Sequence, residues 1–116
     1  MSLVNSLIPR RRPAARRPIS AAELGLERFP QRGVFVQFSS PGSLHCRVAL
    51  NRLAAAVAVC PGEAALVEMQ LGRGDRLAGR LGVHLTPTVM HLDQEGAVTR
   101  RWTRPPDPAE LHAALC

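Results

Sequence analysis

Apolar residues follow two different spacings along the chain. Between Leu44 and Val59 they recur every three or four positions, which is the spacing of a single helix face. Elsewhere they form short runs, and the first of these, at 33–38, is rich in the β-branched and aromatic residues typical of a buried strand. The runs predict four strands, at 33–38, 64–71, 87–92 and 97–102.

Turn and capping residues separate these segments and predict the remaining helices. Ser20 and Glu23 have capping-box spacing, while Asp75 and Pro108 stand at helix-starting positions. They predict short helices at 20–28, 75–81 and 107–115. The Asp-Gln-Glu-Gly turn at 93–96 predicts an antiparallel hairpin, whereas the strand–helix–strand connections favour parallel pairing. The sequence therefore predicts an α/β domain with a mixed sheet and helices on both faces.

Charge is distributed unevenly along the 116 residues. The chain contains no lysine, and five of its 15 arginines lie within residues 10–17, before the first of its nine acidic residues. Without those five arginines the net charge falls from +6 to +1. We therefore predict a disordered basic arm over residues 1–18 and a nearly neutral folded domain over 19–116. A neutral domain argues against a nucleic-acid-binding surface.

Two interpretations of the arm stay open. It is either a solvated tail without a partner, or a segment that follows a membrane anchor and makes a weak electrostatic contact with an anionic membrane surface. No run of about 18 apolar residues marks a membrane span in this sequence. The three cysteines are odd in number and widely spaced, which indicates a reducing environment and favours a cytoplasmic location with or without membrane association.

Two short motifs carry the chemistry. The apolar strand at 33–38 runs through a loop of small residues into Ser-Leu-His-Cys, from Ser43 to Cys46, at the start of the long helix. The second motif, Thr86-Pro87-Thr88, opens the hairpin. Over residues 20–115 this arrangement resembles the thioredoxin family, which has Cys-x-x-Cys at the first place and a cis-proline at the second. The resemblance implies a thioredoxin-like three-layer α/β/α sandwich around a central mixed sheet.

The resemblance also implies a role for each position of the two motifs. Ser43 occupies the place of the attacking cysteine, Cys46 that of the resolving cysteine, and Pro87 that of the cis-proline beside them. Leu44, His45 and Thr86 fall where the family contacts its substrates, which are protein thiols and disulfides. The family needs no cofactor for this chemistry, and the chain has no ligand spacing that predicts a metal site.

Other positions also depart from the family pattern. Gln37 falls where thioredoxins have a buried aspartate that handles protons for the resolving cysteine, and Glu68 falls where they have the lysine partner of that aspartate. Ser39 and Gly42 replace the tryptophans that flank the motif. These departures predict that the usual tuning of the thiols is missing.

The cysteines cannot compensate for the missing thiol by pairing along the helix. Cys60 lies fourteen residues beyond Cys46, so an intact helix separates the two by about 20 Å, whereas a disulfide needs Cα atoms within about 7 Å. Cys116 is the last residue of the sequence, and we expect an incidental exposed thiol there, with pairing between molecules as the alternative. For Cys46 itself, His45 and Arg47 are expected to lower the thiol pKa and burial to raise it, with burial the larger effect.

Three functional interpretations follow. The chain is a thiol–disulfide oxidoreductase of the thioredoxin type with impaired dithiol chemistry, because serine is a poor nucleophile without a base and forms no disulfide. Alternatively, it is a degenerate thioredoxin-like domain that binds protein partners without turnover. A third interpretation is a monothiol redox protein that uses Cys46 alone.

Overall fold

A computed structural model describes residues 17–72 and 75–115 of the chain. Its four strands are β1 Val34–Ser39, β2 Ala65–Gln70, β3 Thr88–Leu92 and β4 Val98–Trp102. Its helices are α1 Leu44–Ala58, α2 Arg76–Arg80 and α3 Pro108–Leu115. The predicted strands and these three predicted helices are thus confirmed, with shifts of at most one residue at their ends.

The strands form one sheet in the order β2-β1-β3-β4. β1 pairs with β2 in parallel, since the intervening α1 carries the chain back along one face of the sheet. β3 is antiparallel to both β1 and β4, and the 93–96 turn joins β3 to β4. The mixed sheet predicted from the sequence is therefore confirmed.

Alternate residues of β1 point into two separate cores. Val34, Val36 and Phe38 are fully buried on one face, in a cluster that includes residues of α2. Phe35 is buried on the other face and packs in a cluster contributed by α1 and α3. Because a strand alternates its side chains between faces, one six-residue segment holds both layers of helices. The result is the three-layer α/β/α arrangement that the resemblance implies.

The segment predicted as a helix over 20–28 is shorter than expected. The capping box is present, because the Glu23 N–H donates to Ser20 Oγ at 3.3 Å and the Ser20 N–H donates to Glu23 Oε2 at 2.9 Å. It caps only a 3₁₀ turn, Ala22–Leu24, because Gly25 adopts a left-handed conformation with φ 76° and ends the element.

The N-terminal boundary of the described domain is anchored at Ile19. Its side chain is buried, and its N–H donates to the Gly96 carbonyl at 2.9 Å. Residues 1–16 lie outside the described part of the chain. The predicted basic arm falls mostly within this range, and so does its predicted contact with a membrane surface. None of the helices within 17–72 and 75–115 has the length and hydropathy that a bilayer crossing requires.

His91 is a buried histidine on β3 whose two ring nitrogens both have partners. Nε2 donates to the Arg32 carbonyl at 2.9 Å, and Nδ1 lies 2.7 Å from the Thr99 hydroxyl. The ring also packs against Phe35, with ring centroids 5.2 Å apart. Burial lowers the pKa of His91, so the folded domain holds this ring in its neutral form.

This neutral ring predicts a loss of stability in mild acid. The unfolded chain binds a proton at His91 near pH 6.5, whereas the folded chain binds it only at lower pH. The free energy of unfolding should therefore fall as pH drops below about 6.5, by at most about 1.4 kcal/mol per pH unit from this residue. Urea denaturation at pH 7.5 and 5.5 measures the effect. The H91Q variant should lose part of the pH dependence of the unfolding free energy. The control variant H45Q, at an exposed histidine, should keep it. A pH dependence in H91Q equal to that of the unmodified chain would contradict the assignment of the effect to His91.

Candidate functional site

The two motifs meet at one edge of the sheet. The carboxyl end of β1 and the start of β3 are neighbours, because Phe38 pairs with Thr88 in the antiparallel register. The loop that follows β1 therefore lies beside Thr86 and Pro87, which precede β3. The Thr86–Pro87 peptide bond is cis, the isomer expected from the resemblance.

Ser43 is the N-cap of α1. Its backbone is extended, with φ −81° and ψ 121°, and its Oγ accepts a hydrogen bond from the Cys46 N–H at 3.2 Å. Serine is among the favoured residues at this position, because its oxygen satisfies an N–H group that the first helical turn leaves without a partner. The side chain at the place of the attacking cysteine therefore serves as a helix cap.

Cys46 is surrounded by hydroxyl groups. Cys46 is 4% exposed, and its thiol makes hydrogen bonds with the side chains of Ser43, Thr86 and Ser40 and with the Ser40 backbone. Ser40 Oγ and Thr86 Oγ1 are themselves 2.8 Å apart, so a hydrogen bond joins the two loops that contact the thiol. We refer to Ser40, Ser43, Cys46 and Thr86 as the hydroxyl–thiol cluster.

The cluster corrects one expectation from the sequence. Burial raises the pKa of the Cys46 thiol, but the hydrogen bonds from Ser43, Ser40 and Thr86 together lower the pKa below its usual value. Burial is the largest single contribution, as expected, but the expected net rise of the pKa is wrong because the hydrogen bonds together outweigh burial. The neighbours in sequence, His45 and Arg47, have exposed side chains, and the lowering comes from the hydroxyl groups instead.

Gln37 holds the start of α1 against the sheet. It is fully buried on β1, and its Nε2 donates to the Cys46 carbonyl at 2.8 Å and to Ser39 Oγ at 3.0 Å. Glu68 pairs with Gln37 in the register of β1 and β2, but it is exposed. An amide does not titrate as a carboxyl group does, so position 37 supports the backbone of Cys46 and exchanges no proton with the thiol.

The structure places the remaining predicted residues around this cluster. Pro87 is buried and Thr86 is half-buried, while Leu44 and His45 are exposed on the first turn of α1. Leu85, which the sequence analysis did not select, is 51% exposed just before Thr86, and Leu44 is 64% exposed. Leu44 and Leu85 are thus exposed apolar side chains next in sequence to Ser43 and Thr86, two members of the cluster.

Ser40 is the site residue that the sequence analysis missed. It is separated from Thr86 by 46 positions, and its role depends on the approach of the two loops. The available signal was the small-residue loop itself, in which Ser40 is a hydroxyl donor three positions before Ser43.

Comparison with known proteins places this geometry in context. No protein-family model matches the sequence, and no curated protein sequence matches it either. Among solved structures, thioredoxin 2 from Pseudomonas aeruginosa is 28% identical, with 91% of this chain and 93% of that chain covered at a TM-score of 0.58. Chloroplastic thioredoxin z is 14% identical, with 84% and 88% covered at a TM-score of 0.64.

A third solved structure also matches this chain in fold. A DsbF homologue from Corynebacterium diphtheriae is 13% identical, with 84% of this chain and 75% of that chain covered at a TM-score of 0.64. The three matches cover 84–91% of this chain. The chain therefore has a thioredoxin-like fold and resembles the thioredoxin family.

Proposed function

We propose that this chain is a thioredoxin-like member of the thiol–disulfide oxidoreductase type whose dithiol chemistry is impaired. The observation that carries the proposal is the side chain of Ser43, which stands at the start of α1 in contact with the Cys46 thiol. A dithiol enzyme needs a sulfur at this place, both to attack a disulfide and to be released by the second thiol. Serine supplies neither step.

Cys46 alone can carry out only the first of the two thiol–disulfide exchange steps. Its thiolate can attack a disulfide R–S–S–R′, forming Cys46–S–S–R and releasing the thiolate R′–S⁻. In a dithiol protein the neighbouring sulfur then displaces R–S⁻ and forms an internal disulfide. With an oxygen at Ser43, release of the bound group needs an external thiol.

A protein partner is supported by the rim of the site. Leu44 and Leu85 expose apolar side chains on either side of the hydroxyl–thiol cluster, one on α1 and one before Thr86. Exposed apolar residues next to a polar centre are a common feature of contact surfaces between proteins. We infer that the substrate or docking partner is a protein segment that lies between these two leucines.

The proposal is tested by reacting the chain with an excess of a peptide disulfide and mapping the state of each cysteine by mass spectrometry. We expect Cys46 to carry the peptide as a mixed disulfide or to stay a thiol. The S43C variant is the comparison, since its two sulfurs should instead form an internal disulfide. An internal disulfide that includes Cys46 in the unmodified chain would contradict the proposal.

A second candidate function, a monothiol redox protein, is favoured by the lowered pKa of Cys46. Hydrogen bonds from three hydroxyl-bearing residues stabilise a thiolate, which is the form that reacts. This candidate differs from the first because it assigns the mixed disulfide at Cys46 to normal function. It also requires access to the thiol of a residue that is only 4% exposed.

The reactivity of Cys46 separates these possibilities. We expect the pH profile of its alkylation to have a midpoint below that of an ordinary thiol, because the hydroxyl groups stabilise the thiolate. At saturating pH, burial should make Cys46 react more slowly than the half-buried Cys60. Stopped-flow or timed alkylation with mass-spectrometric assignment measures both quantities.

Two variants assign the cause of that midpoint. T86V removes one hydrogen-bonding hydroxyl and should raise the midpoint, whereas H45A removes an exposed ring and should leave it unchanged. The opposite result, in which H45A raises the midpoint and T86V leaves it unchanged, would show that the sequence neighbours of Cys46 set the pKa of its thiol. Fast alkylation of Cys46 in the unmodified chain would favour the monothiol function.

A further inference from the structure

Cys46 combines a reactive thiol with a buried position. The residue is 4% exposed, yet the hydrogen bonds within the hydroxyl–thiol cluster hold the pKa of the thiol below its usual value. A lowered pKa increases the fraction of reactive thiolate at neutral pH, whereas burial limits the access of large reagents. The site therefore favours a small substrate over a large one.

Hydroxyl groups connect the thiol with the protein surface. Ser40, Ser43 and Thr86 each contact the Cys46 thiol and are themselves half-buried. Ser40 Oγ and Thr86 Oγ1 lie 2.8 Å apart, and either oxygen can be the donor. A hydroxyl group both donates and accepts hydrogen bonds, which suits a small polar molecule that does the same.

Gln37 places a hydrogen-bond acceptor without a partner next to Cys46. Its Nε2 donates to the Cys46 carbonyl at 2.8 Å, and Oε1 belongs to the same planar amide group. Oε1 is buried and has no hydrogen-bond partner among the described residues, although nearly all buried polar atoms in proteins have one. A small molecule with O–H donors beside Cys46 can supply that partner.

An oxidised Cys46 has no second thiol within reach in the described part of the chain. Position 43 carries an oxygen, and Cys60 lies fourteen residues further along, about 20 Å away beyond the end of α1. A sulfenic acid condenses with a nearby thiol to form a disulfide. Because neither position offers one, an oxidised Cys46 stays available for the thiol of a bound partner.

We propose that hydrogen peroxide is a substrate of Cys46 and converts its thiol to a sulfenic acid, which a partner thiol then captures. Hydrogen peroxide is small, it donates and accepts hydrogen bonds, and it oxidises thiolates. The inference rests on the proposed function in one respect, because it uses Cys46 as a single reactive thiol. It adds a route by which a thiol, rather than a disulfide, becomes bound to Cys46.

Both steps balance with hydrogen peroxide as the only oxidant. In the first step the Cys46 thiolate attacks one peroxide oxygen, so that an S–O bond forms and the O–O bond breaks. The sulfur loses two electrons, and the departing hydroxide takes up a proton from solvent and leaves as water. In the second step the sulfur of a partner thiol R–SH displaces the sulfenic hydroxyl group, which gives Cys46–S–S–R and a second water.

The test compares two reagents at two cysteines of the unmodified, fully reduced chain. One sample is treated with dilute hydrogen peroxide, quenched with catalase and denatured with dimedone, which labels sulfenic acids. The other is treated with iodoacetamide, a larger reagent that alkylates the same thiolate. Peptide mass spectrometry gives each rate at Cys46 and at the half-buried Cys60. Because both reagents need the thiolate, the ratio of the peroxide rate to the iodoacetamide rate measures the selectivity for peroxide. We expect this ratio to be about tenfold higher or more at Cys46.

Three variants accompany this comparison. T86V removes a hydroxyl group from the cluster and should slow the oxidation of Cys46 at neutral pH by about threefold or more. T103V makes the same change at an exposed threonine outside the cluster and should leave the rate unchanged. S43C supplies a second sulfur and should end as an internal disulfide instead of a sulfenic acid.

Two results would overturn the peroxide proposal: equal rate ratios at Cys46 and Cys60, or no dimedone label on Cys46. Neither result affects the mixed disulfide that Cys46 is expected to form with a peptide disulfide, which tests the proposed function separately.

Discussion

Replacing Ser43 with cysteine is expected to give the chain a disulfide reductase activity that we do not expect of the unmodified protein. In the insulin-precipitation assay with dithiothreitol, we expect the S43C rate to exceed the reagent background by about tenfold or more. The physical reason is contact: the Cys46 thiol already hydrogen-bonds with the Ser43 side chain, so a sulfur in place of Oγ lies within reach of a disulfide. The position also begins a helix, where free N–H groups stabilise a thiolate.

Two matched variants isolate the contribution of the new sulfur. S43A removes the helix cap without adding a thiol, so it should lose about 1 kcal/mol of stability and gain no activity. S43C/C46A has the attacking sulfur without the resolving one and should fall back toward the background rate. If S43C forms the internal disulfide but still fails to reduce insulin, the degenerate partner-binding interpretation would be the better one.

Gly33 is a position where the addition of a single methyl group should cost considerable stability. It has φ +86° immediately before β1, and a Cβ atom there would collide with the Leu92 carbonyl oxygen and lie 2.9 Å from His91 Nε2. A left-handed alanine costs about 1 kcal/mol or more, and overpacking a rigid backbone adds about 1–3 kcal/mol. We therefore expect G33A to lose about 3 kcal/mol in the free energy of unfolding, measured by urea denaturation.

Gly25 provides the control for this prediction. Its φ is +76°, but nothing lies within 4 Å of a Cβ built there. G25A should therefore show the conformational cost alone, about 1 kcal/mol. Equal losses in G33A and G25A would mean that the approach of β3 to position 33 adds nothing.

The layers of the fold could be predicted because they depend on local patterns. The run at 33–38 and the helical spacing from Leu44 to Val59 each specify an element from neighbouring residues, and the 93–96 turn specifies a hairpin. The segment after Ser20 was predicted too long, because a capping box marks where a helix begins but not where it ends. The left-handed conformation of Gly25 ends the 3₁₀ turn after Leu24.

The site was predictable in its motifs but not in its electrostatics. Ser43 and Cys46 stand out in the sequence because they are three positions apart at a helix start. The partners that lower the pKa of Cys46 include Thr86, which reaches the thiol only after the sheet has formed. A cavity of about 410 Å³, lined by Cys60 at the end of α1 and by Leu115 of α3, likewise depends on the packing of these two helices. No local sequence pattern indicates it.

The most direct test of the proposal that Cys46 works without a second thiol at position 43 is the rate of insulin reduction by the unmodified chain. The rate with dithiothreitol should equal the reagent background and should match that of the C46A variant, because Ser43 cannot complete the exchange that Cys46 begins. A folded S43C preparation assayed in parallel shows that the assay detects activity on this scaffold. Catalysis above background that disappears in C46A would contradict the account.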